Sequence, residues 1–183
     1  MNPSGKLNVS FPRSTGNTPC FYNHFVTDRE EPFDQPGTPE EPKGHYIFDK
    51  PEPLWNFGHG KSYTTFDYVD CALSDTLLAA SDTLKVSVMI KNTGRCDGKE
   101  VVQLYVRDKV STVATPIQQL KAFQKVLVKS GESQCVELSL PIAELALYNA
   151  KMEEVVEPGD FEIQIGAASD DIRFKKTITI NRK

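Results

Sequence analysis

The chain has 183 residues, of which 21 are Lys or Arg and 25 are Asp or Glu, so that its formal net charge is -4 at pH 7. This length suits one domain with a long extension, or two small units. The weakly acidic balance argues against a nucleic-acid footprint or a basic membrane patch. No apolar run approaches the roughly 20 residues that are needed to span a bilayer.

Residues 1–61 are predicted to form an irregular, proline-rich arm. Nine of the 12 prolines fall between Pro3 and Pro53, and residues 29–43 are also acidic, so no packed element is expected there. Short strands around Phe11 and around residues 21–22 could not bury a core alone. The arm is therefore expected to lie over the surface of another part of the protein.

Residues 62–183 are predicted to fold as an all-β, antiparallel β-sandwich. Apolar and polar residues alternate in about seven short runs, separated by turn-forming residues and without a long amphipathic helix. These runs lie at residues 63–73, 84–91, 100–106, 120–128, 135–140, 161–165 and 174–180. The piece at residues 142–148 could be a helical turn or a strand.

The spacing of the strands suggests an immunoglobulin-like sandwich, a class that includes antibody-type and fibronectin type III-like domains. Antibody-type domains carry a Cys-Trp-Cys signature, whereas the single tryptophan here, Trp55, precedes the predicted strands. A fibronectin type III-like sandwich with a long irregular N-terminal arm fits better.

The clearest single pattern is the stretch from Leu84 to Val106. Its two arms each place apolar side chains on one face, and the loop between them contains two glycines, an Asn and an Asp. The apolar positions are Leu84, Val86, Val88 and Ile90 in the first arm, and Val102, Leu104 and Val106 in the second. The pattern predicts an antiparallel hairpin.

The carboxylates offer no obvious acid/base pair. Four pairs are adjacent in sequence, and adjacent side chains on an extended strand point to opposite faces. They are Glu30-Glu31, Glu40-Glu41, Glu153-Glu154 and Asp170-Asp171. We expect solvated carboxylates, with Asp170 to Arg173 forming a turn and a local ion pair.

No cofactor or metal site is predicted. The four cysteines, at positions 20, 71, 96 and 135, form no C-x-x-C pair and no zinc-ligand spacing with the three scattered histidines. Two disulfides are compatible with this count, but free thiols are favoured because nothing in the spacing defines a bridge.

Several segments resemble the C-terminal fibronectin type III-like domain of glycoside hydrolase family 3, the family of β-glucosidases and β-xylosidases. The central match is Asn-Thr-Gly at residues 92–94, followed by Gly-Lys-Glu-Val-Val-Gln-Leu-Tyr-Val at residues 98–106. Further matches lie at residues 120–123, 131–133, 155–159 and 169–173. Residues 57–66 are similar to that family's entry to the domain, and residues 2–7 and 11–12 to the end of its preceding α/β domain.

Five positions depart from the family's usual residues: Asn8, Asn56, Lys61, Ala122 and Glu154. Several are polar where the family is apolar, which suggests relaxed packing against a neighbour. The resemblance implies a parent enzyme that hydrolyses terminal β-linked sugars with retention, using two carboxyl groups about 5 to 5.5 Å apart. Both lie upstream of the matched region in that family, so no catalytic residue is expected here and the chain alone should be inactive.

Two functions of different class follow. The first is a non-catalytic accessory domain that packs on the catalytic domains of a β-glycosidase, in cis or in trans. The second is a stand-alone carbohydrate-binding or adhesive module, in which aromatic rings stack on an oligosaccharide. The candidate rings are Trp55, Tyr63, Phe66 and Tyr68.

Localisation is expected to follow from these alternatives. The N-terminus lacks the apolar core of a signal peptide, so this chain, expressed as written, would stay in the cytoplasm. As part of a full-length bacterial enzyme it would be periplasmic or secreted, as many members of the family are. No nucleic acid or membrane is expected among its partners.

Overall fold

The computed structural model describes residues 1–25, 38–40 and 52–181. The strands are β1 (Phe66–Leu73), β2 (Leu77–Leu78), β3 (Thr83–Asn92), β4 (Gly98–Asp108), β5 (Gln119–Val128), β6 (Ser133–Pro141), β7 (Leu147–Tyr148), β8 (Glu154–Val155), β9 (Gly159–Ala168) and β10 (Asp171–Ile180). Two short 3-10 helices lie at Thr15–Asn17 and Ile142–Leu145. Within these described residues, no helix has the length and apolar character required to cross a bilayer.

Seven strands of 8 to 11 residues form a two-sheet sandwich. One sheet has the order β1-β3-β6 and the other β2-β10-β9-β4-β5. All pairs are antiparallel except the short parallel contact between β2 and β10. The prediction of an all-β sandwich is confirmed.

The core lies between the two sheets and is built from the alternating apolar positions. Leu84, Val86, Val88 and Ile90 of β3 are fully buried, as are Val102 and Leu104 of β4. Ile163 of β9, Ile178 of β10 and Leu140 of β6 complete the centre of the cluster. Burial of such side chains stabilises the fold by about 1.5 to 3 kcal/mol each.

The predicted hairpin between β3 and β4 is wrong, although both of its strands exist. β3 pairs with β1 and β6, whereas β4 pairs with β5 and β9, so the two strands lie in opposite sheets. Alternation determines which side chains face the core but not which strand is the hydrogen-bonding partner. Here the two apolar faces meet across the core, and residues 93–97 cross from one sheet to the other.

A buried asparagine holds this crossover. The Oδ1 atom of Asn92 accepts hydrogen bonds from the Thr64 hydroxyl at 2.6 Å and the Gly94 amide at 3.1 Å. Its Nδ2 atom donates to the carbonyl oxygens of Cys96 and Val128, both at 2.9 Å. Asn92 has no exposed surface. One side chain therefore joins the crossover loop to the start of β1 and the end of β5.

Other predicted elements differ in detail. Phe11 forms an isolated bridge with Trp55 rather than a short strand, and residues 21–22 lie outside any strand. The ambiguous piece at residues 142–148 contains both alternatives, a 3-10 helix followed by the two-residue strand β7. Most of the acidic stretch at residues 29–43 lies outside the described residues.

Replacing Asn92 should destabilise the fold more than any surface change. In Asn92→Ala, four hydrogen bonds are lost and the Val128 carbonyl is left buried without its side-chain donor. We expect a loss of about 3 kcal/mol in the free energy of unfolding, measured by urea titration. The matched control is Asn23→Ala, since Asn23 is exposed. A cost for Asn92→Ala within about 0.5 kcal/mol of that control would contradict the assigned role.

Candidate functional site

The arm covers the outer face of the five-stranded sheet at β4. Residues 100–106 are all buried, on both faces of the strand. Val102, Leu104 and Val106 face the core, so Val101, Gln103 and Tyr105 point away from it. Parts of the arm lie over this outer face, and we call the contact region the arm seam. It comprises Lys6, Tyr22, Phe57 and Gly58 of the arm, together with Glu100, Gln103 and Tyr105 of β4.

Backbone pairing within the arm brings residues 7 and 58 together. The Leu7 amide donates to the His59 carbonyl and the Gly58 amide to the Leu7 carbonyl, both at 2.8 Å. Gly58 has a φ of +81°, and a Cβ atom there would lie 3.0 Å from Cδ of Gln103. Glycine is therefore required at this position for two reasons, the backbone conformation and the close approach to β4.

Gln103 is the polar centre of the arm seam. Its Nε2 atom donates to the Ala167 carbonyl at 2.6 Å and to the Gly58 carbonyl at 3.4 Å. Its Oε1 atom accepts from the Tyr105 hydroxyl at 2.5 Å. Because Gln103 and Tyr105 are almost completely buried, these bonds offset the desolvation of their polar groups.

An aromatic cluster lies beside this network. The ring of Tyr22 stacks on Phe57 with a centroid distance of 4.1 Å, and meets Tyr105 edge-on at 5.9 Å. The Tyr22 hydroxyl accepts a hydrogen bond from the Leu120 amide at 3.2 Å. Burial raises the pKa of Tyr105, so its hydroxyl stays protonated and donates. Contacts of this kind attach the arm to β4 and β5 together.

A buried ion pair, Lys6–Glu100, lies at the other end of the arm seam. The Nζ atom of Lys6 lies 3.0 Å from Oε1 of Glu100 and donates to the Ala167 carbonyl at 2.9 Å. The Lys6 and Glu100 side chains are 18% and 8% exposed. The hydroxyl of Tyr68 donates to Glu100 at 3.4 Å. Burial, followed by the charge of Glu100, raises the pKa of Tyr68 well above its usual range.

Loss of the Lys6 charge should loosen the arm. A buried carboxylate without its cation is costly, and partial exposure of Lys6 reduces the expected penalty for Lys6→Ala to about 2 kcal/mol. Hydrogen exchange at the Gly58 and His59 amides should then accelerate. The matched control is Lys129→Ala, because the Lys129–Glu132 pair is more than half exposed on both sides. Equal effects of the two substitutions would contradict the assignment.

His59 lies at the edge of the arm seam. Its ring packs on Trp55 with a centroid distance of 4.6 Å, and its Nε2 atom is buried without a hydrogen-bond partner. Burial lowers the pKa of His59 below 6.5, with the nearby Lys61 and Lys6 cations acting in the same direction and Asp170 opposing them. The folded chain therefore favours a neutral imidazole. The ring therefore serves to pack the arm rather than to carry a charge.

The sign of the resulting pH dependence follows from linkage. Because the pKa of His59 is lower in the folded state than in the unfolded state, the unfolded state takes up the proton first, near pH 6.5, so stability should fall as pH decreases from about 7.5 to about 5.5. His59→Gln should reduce the loss of stability between the two pH values, whereas His24→Gln should not, because His24 is exposed. The measurement is the urea midpoint of each variant at both pH values. An unchanged pH difference in His59→Gln would refute this origin.

The four aromatic residues considered for sugar stacking have different environments. Phe66 and Tyr68, on β1, are partly buried against the core. Trp55 is 41% exposed, but its ring is in contact with His59 and lies 5.6 Å from the Lys61 ammonium. Tyr63 is 78% exposed. Sugar stacking stays a prediction, and Tyr63 is its most accessible ring.

Three of the adjacent carboxylates, Asp170, Asp171 and Glu153, have separate local partners. Asp170 accepts from the Asn56 side chain at 2.7 Å, and Asp171 forms an ion pair with Arg173 at 2.5 Å. The predicted local ion pair is confirmed. Glu153 accepts from Asn149 at 3.0 Å, whereas residues 30, 31 and 41 lie outside the described part. In that described part, no group of three or more His, Cys, Asp or Glu could hold a metal ion.

The cysteines are free thiols. Cys71 is buried in the core, Cys20 is partly buried, and Cys96 and Cys135 are exposed.

Two of the positions that depart from the family pattern have partners within the chain, Asn56 with Asp170 and Lys61 with Trp55. These substitutions are therefore accommodated by contacts within the chain.

Most of the arm seam was not predicted from the sequence. Lys6, Gln103 and Tyr105 lie within segments that resemble the family, and Tyr22 lies outside them, but no pattern indicated that these residues would meet. One signal was available: β4 has apolar residues at both odd and even positions, which is typical of a strand buried on both faces. The partner covering its outer face could not be deduced from that pattern.

Comparison with known proteins agrees with the architecture. Residues 100–169 match a family model described as a fibronectin type III-like domain. The chain is thus a β-sandwich of the fibronectin type III-like class. It belongs to the domain family carried by β-glucosidases and β-xylosidases of glycoside hydrolase family 3, as the resemblance in its sequence indicated.

Three relatives illustrate this membership. The chain is 40% identical to a beta-xylosidase of Formosa agariphila, with 100% of the chain and 24% of the enzyme covered. It is 38% identical to the periplasmic beta-glucosidase of Salmonella typhimurium, with 94% and 22% covered. A crystal structure of beta-glucosidase from Listeria innocua in complex with glucose matches with a TM-score of 0.85, 36% identity and 99% and 25% covered. The chain spans about a quarter of each relative.

Proposed function

We propose that the chain is a non-catalytic accessory domain of a family 3 β-glycosidase, whose catalytic domains hydrolyse terminal β-linked sugars and belong to the same polypeptide. The observation that carries this proposal is the arm seam. It joins an arm proposed to span residues 1–61 to a sandwich proposed to span residues 62–183. The combined unit, rather than the sandwich alone, is what matches the much longer enzymes.

The role of such a domain is mechanical. Lys6, Tyr22 and Phe57 hold the arm against β4, so movement of the arm would require breaking a buried ion pair and an aromatic cluster. Because the arm is fixed to the sandwich, any catalytic domain that contacts the arm is held in a defined orientation relative to the sandwich. The domain would stabilise its catalytic neighbours by burying apolar surface against them. Association in trans with separate catalytic domains would use the same contacts.

The test combines the isolated chain with a chimera. The purified chain should hydrolyse no aryl β-glucoside, because retaining hydrolysis needs two opposed carboxyl groups. The chimera is the Salmonella typhimurium enzyme with its matching segment replaced by this chain. It should fold and be active, whereas the same enzyme with the segment deleted should not. The deleted enzyme mixed with the free chain tests association in trans.

Two results would overturn the proposal. One is turnover by the chain that persists through purification to homogeneity and increases in proportion to its concentration. The other is a chimera that is no more stable or active than the enzyme without the segment.

A further inference from the structure

We propose that the outer face of β5 is the surface on which the catalytic domains sit, and that they present an apolar patch rimmed by carboxylates to it. We call this surface the β5 face and define it by Phe123, Lys125 and Leu127. The inference rests on the proposed function and names the partner surface that this function requires.

Strand register places the three side chains on one face. Phe123 is opposite Gln103, Lys125 opposite Val101, and Leu127 opposite Lys99. Because directly opposed residues of an antiparallel pair share a face, all three point to the side of the sheet on which the arm lies. Phe123 is 66% exposed and Leu127 is 55% exposed. Two large apolar side chains thus stand in water on one strand, with a lysine between them.

The opposite side of the sandwich has a different character. On the outer face of the three-stranded sheet, Lys85 pairs with Ser139, Ser87 with Glu137 and Lys91 with Ser133. In this sheet, the exposed large apolar side chain among the described residues is Val69, at the irregularity in β1, whereas β3 and β6 have none. β3 and β6 therefore present a solvated surface. The asymmetry favours the β5 face as the one covered by another domain.

The β5 face is continuous with the arm seam. Gln103, the residue opposite Phe123, is hydrogen-bonded to Gly58 of the arm, and the Leu120 amide of β5 donates to Tyr22. The neighbouring Phe21 is 62% exposed. A body that covered Phe123 and Leu127 would therefore also meet the arm. In the relatives, the matched region includes the equivalent of this arm and occupies about a quarter of the enzyme.

Charge and strand position specify the partner further. Lys125 of β5 and Lys99, which lies opposite Leu127, place two cations on this face, and β5 has no acidic residue, although the whole chain has a net charge of -4. The other lysine of β5, Lys121, donates to the Glu144 carbonyl instead. Carboxylates at the rim of the partner would complement Lys99 and Lys125. β5 is also the last strand of its sheet, so its outer edge has no strand partner within the described residues. Natural sheets commonly cover such an edge.

The experiment uses the chimera described above and two matched double variants. Phe123→Ser with Leu127→Ser removes the apolar part of the β5 face. Val69→Ser with Leu77→Ser removes two aliphatic side chains of similar exposure, 57% and 54%, on β1 and β2. In the isolated chain, both doubles should shift the urea midpoint equally little, because all four side chains are exposed.

In the chimera, we expect the β5 double to lower the melting temperature by about 4 °C or more and the control double by about 1 °C at most. Lys125→Glu should also lower it, by an amount that decreases as salt concentration increases. Equal shifts for the two doubles would overturn the assignment of the β5 face and leave the accessory function standing.

Two other outcomes also overturn the inference and differ from each other. If the wild-type chimera is no better than the enzyme lacking the segment, the accessory function itself fails. If the isolated chain dimerises in sedimentation experiments, and the β5 double abolishes the dimer without affecting the chimera, the face belongs to a second copy of the chain.

Discussion

Burial of β4 on both faces is the constraint on which the rest of the structure depends. A strand with one face toward the core can leave the other in water, but Val101, Gln103 and Tyr105 on the outer face of β4 are also buried. Something outside the two sheets must therefore cover the outer face. The arm does this by accepting a hydrogen bond from Gln103 at the Gly58 carbonyl and by packing an aromatic ring against Tyr105. Lys6 adds a cation for Glu100, which lies on the same face of β4 as Val102. Arm and sandwich are consequently one structural unit.

This constraint also explains why the arm can lack regular secondary structure. Its described residues contain isolated bridges and one 3-10 turn, which could not bury a core alone. The conformation of the arm is fixed by contacts with β4 and β5, and a few side chains make most of these contacts. A proline-rich sequence suits this role, because restricted backbone freedom reduces the entropy lost when the arm docks.

Local pattern predicted the strands well because alternation is a property of each strand alone. The core positions from Leu84 to Ile90 and from Val102 to Val106 were all identified in this way. The pairing of the strands could not be predicted from the local pattern, since the polar loop at residues 93–97 is compatible with a hairpin and with a crossover between sheets. The arm seam was harder still, because Lys6 and Glu100, or Tyr22 and Tyr105, meet only after the whole domain has folded. The family resemblance supplied the architecture but no contact between the arm and β4.

The position of Lys6 has a consequence for the order of events during synthesis. Its ammonium group needs the Ala167 carbonyl, 161 residues further along the chain. The arm is synthesised before the sandwich, yet it cannot dock on β4 until β9 has been made and paired with that strand. Contacts between such distant residues form slowly, because a long loop must close before they are made. While the sandwich is being synthesised, the arm would therefore be an undocked, protease-accessible segment, and its docking would mark the completion of the domain.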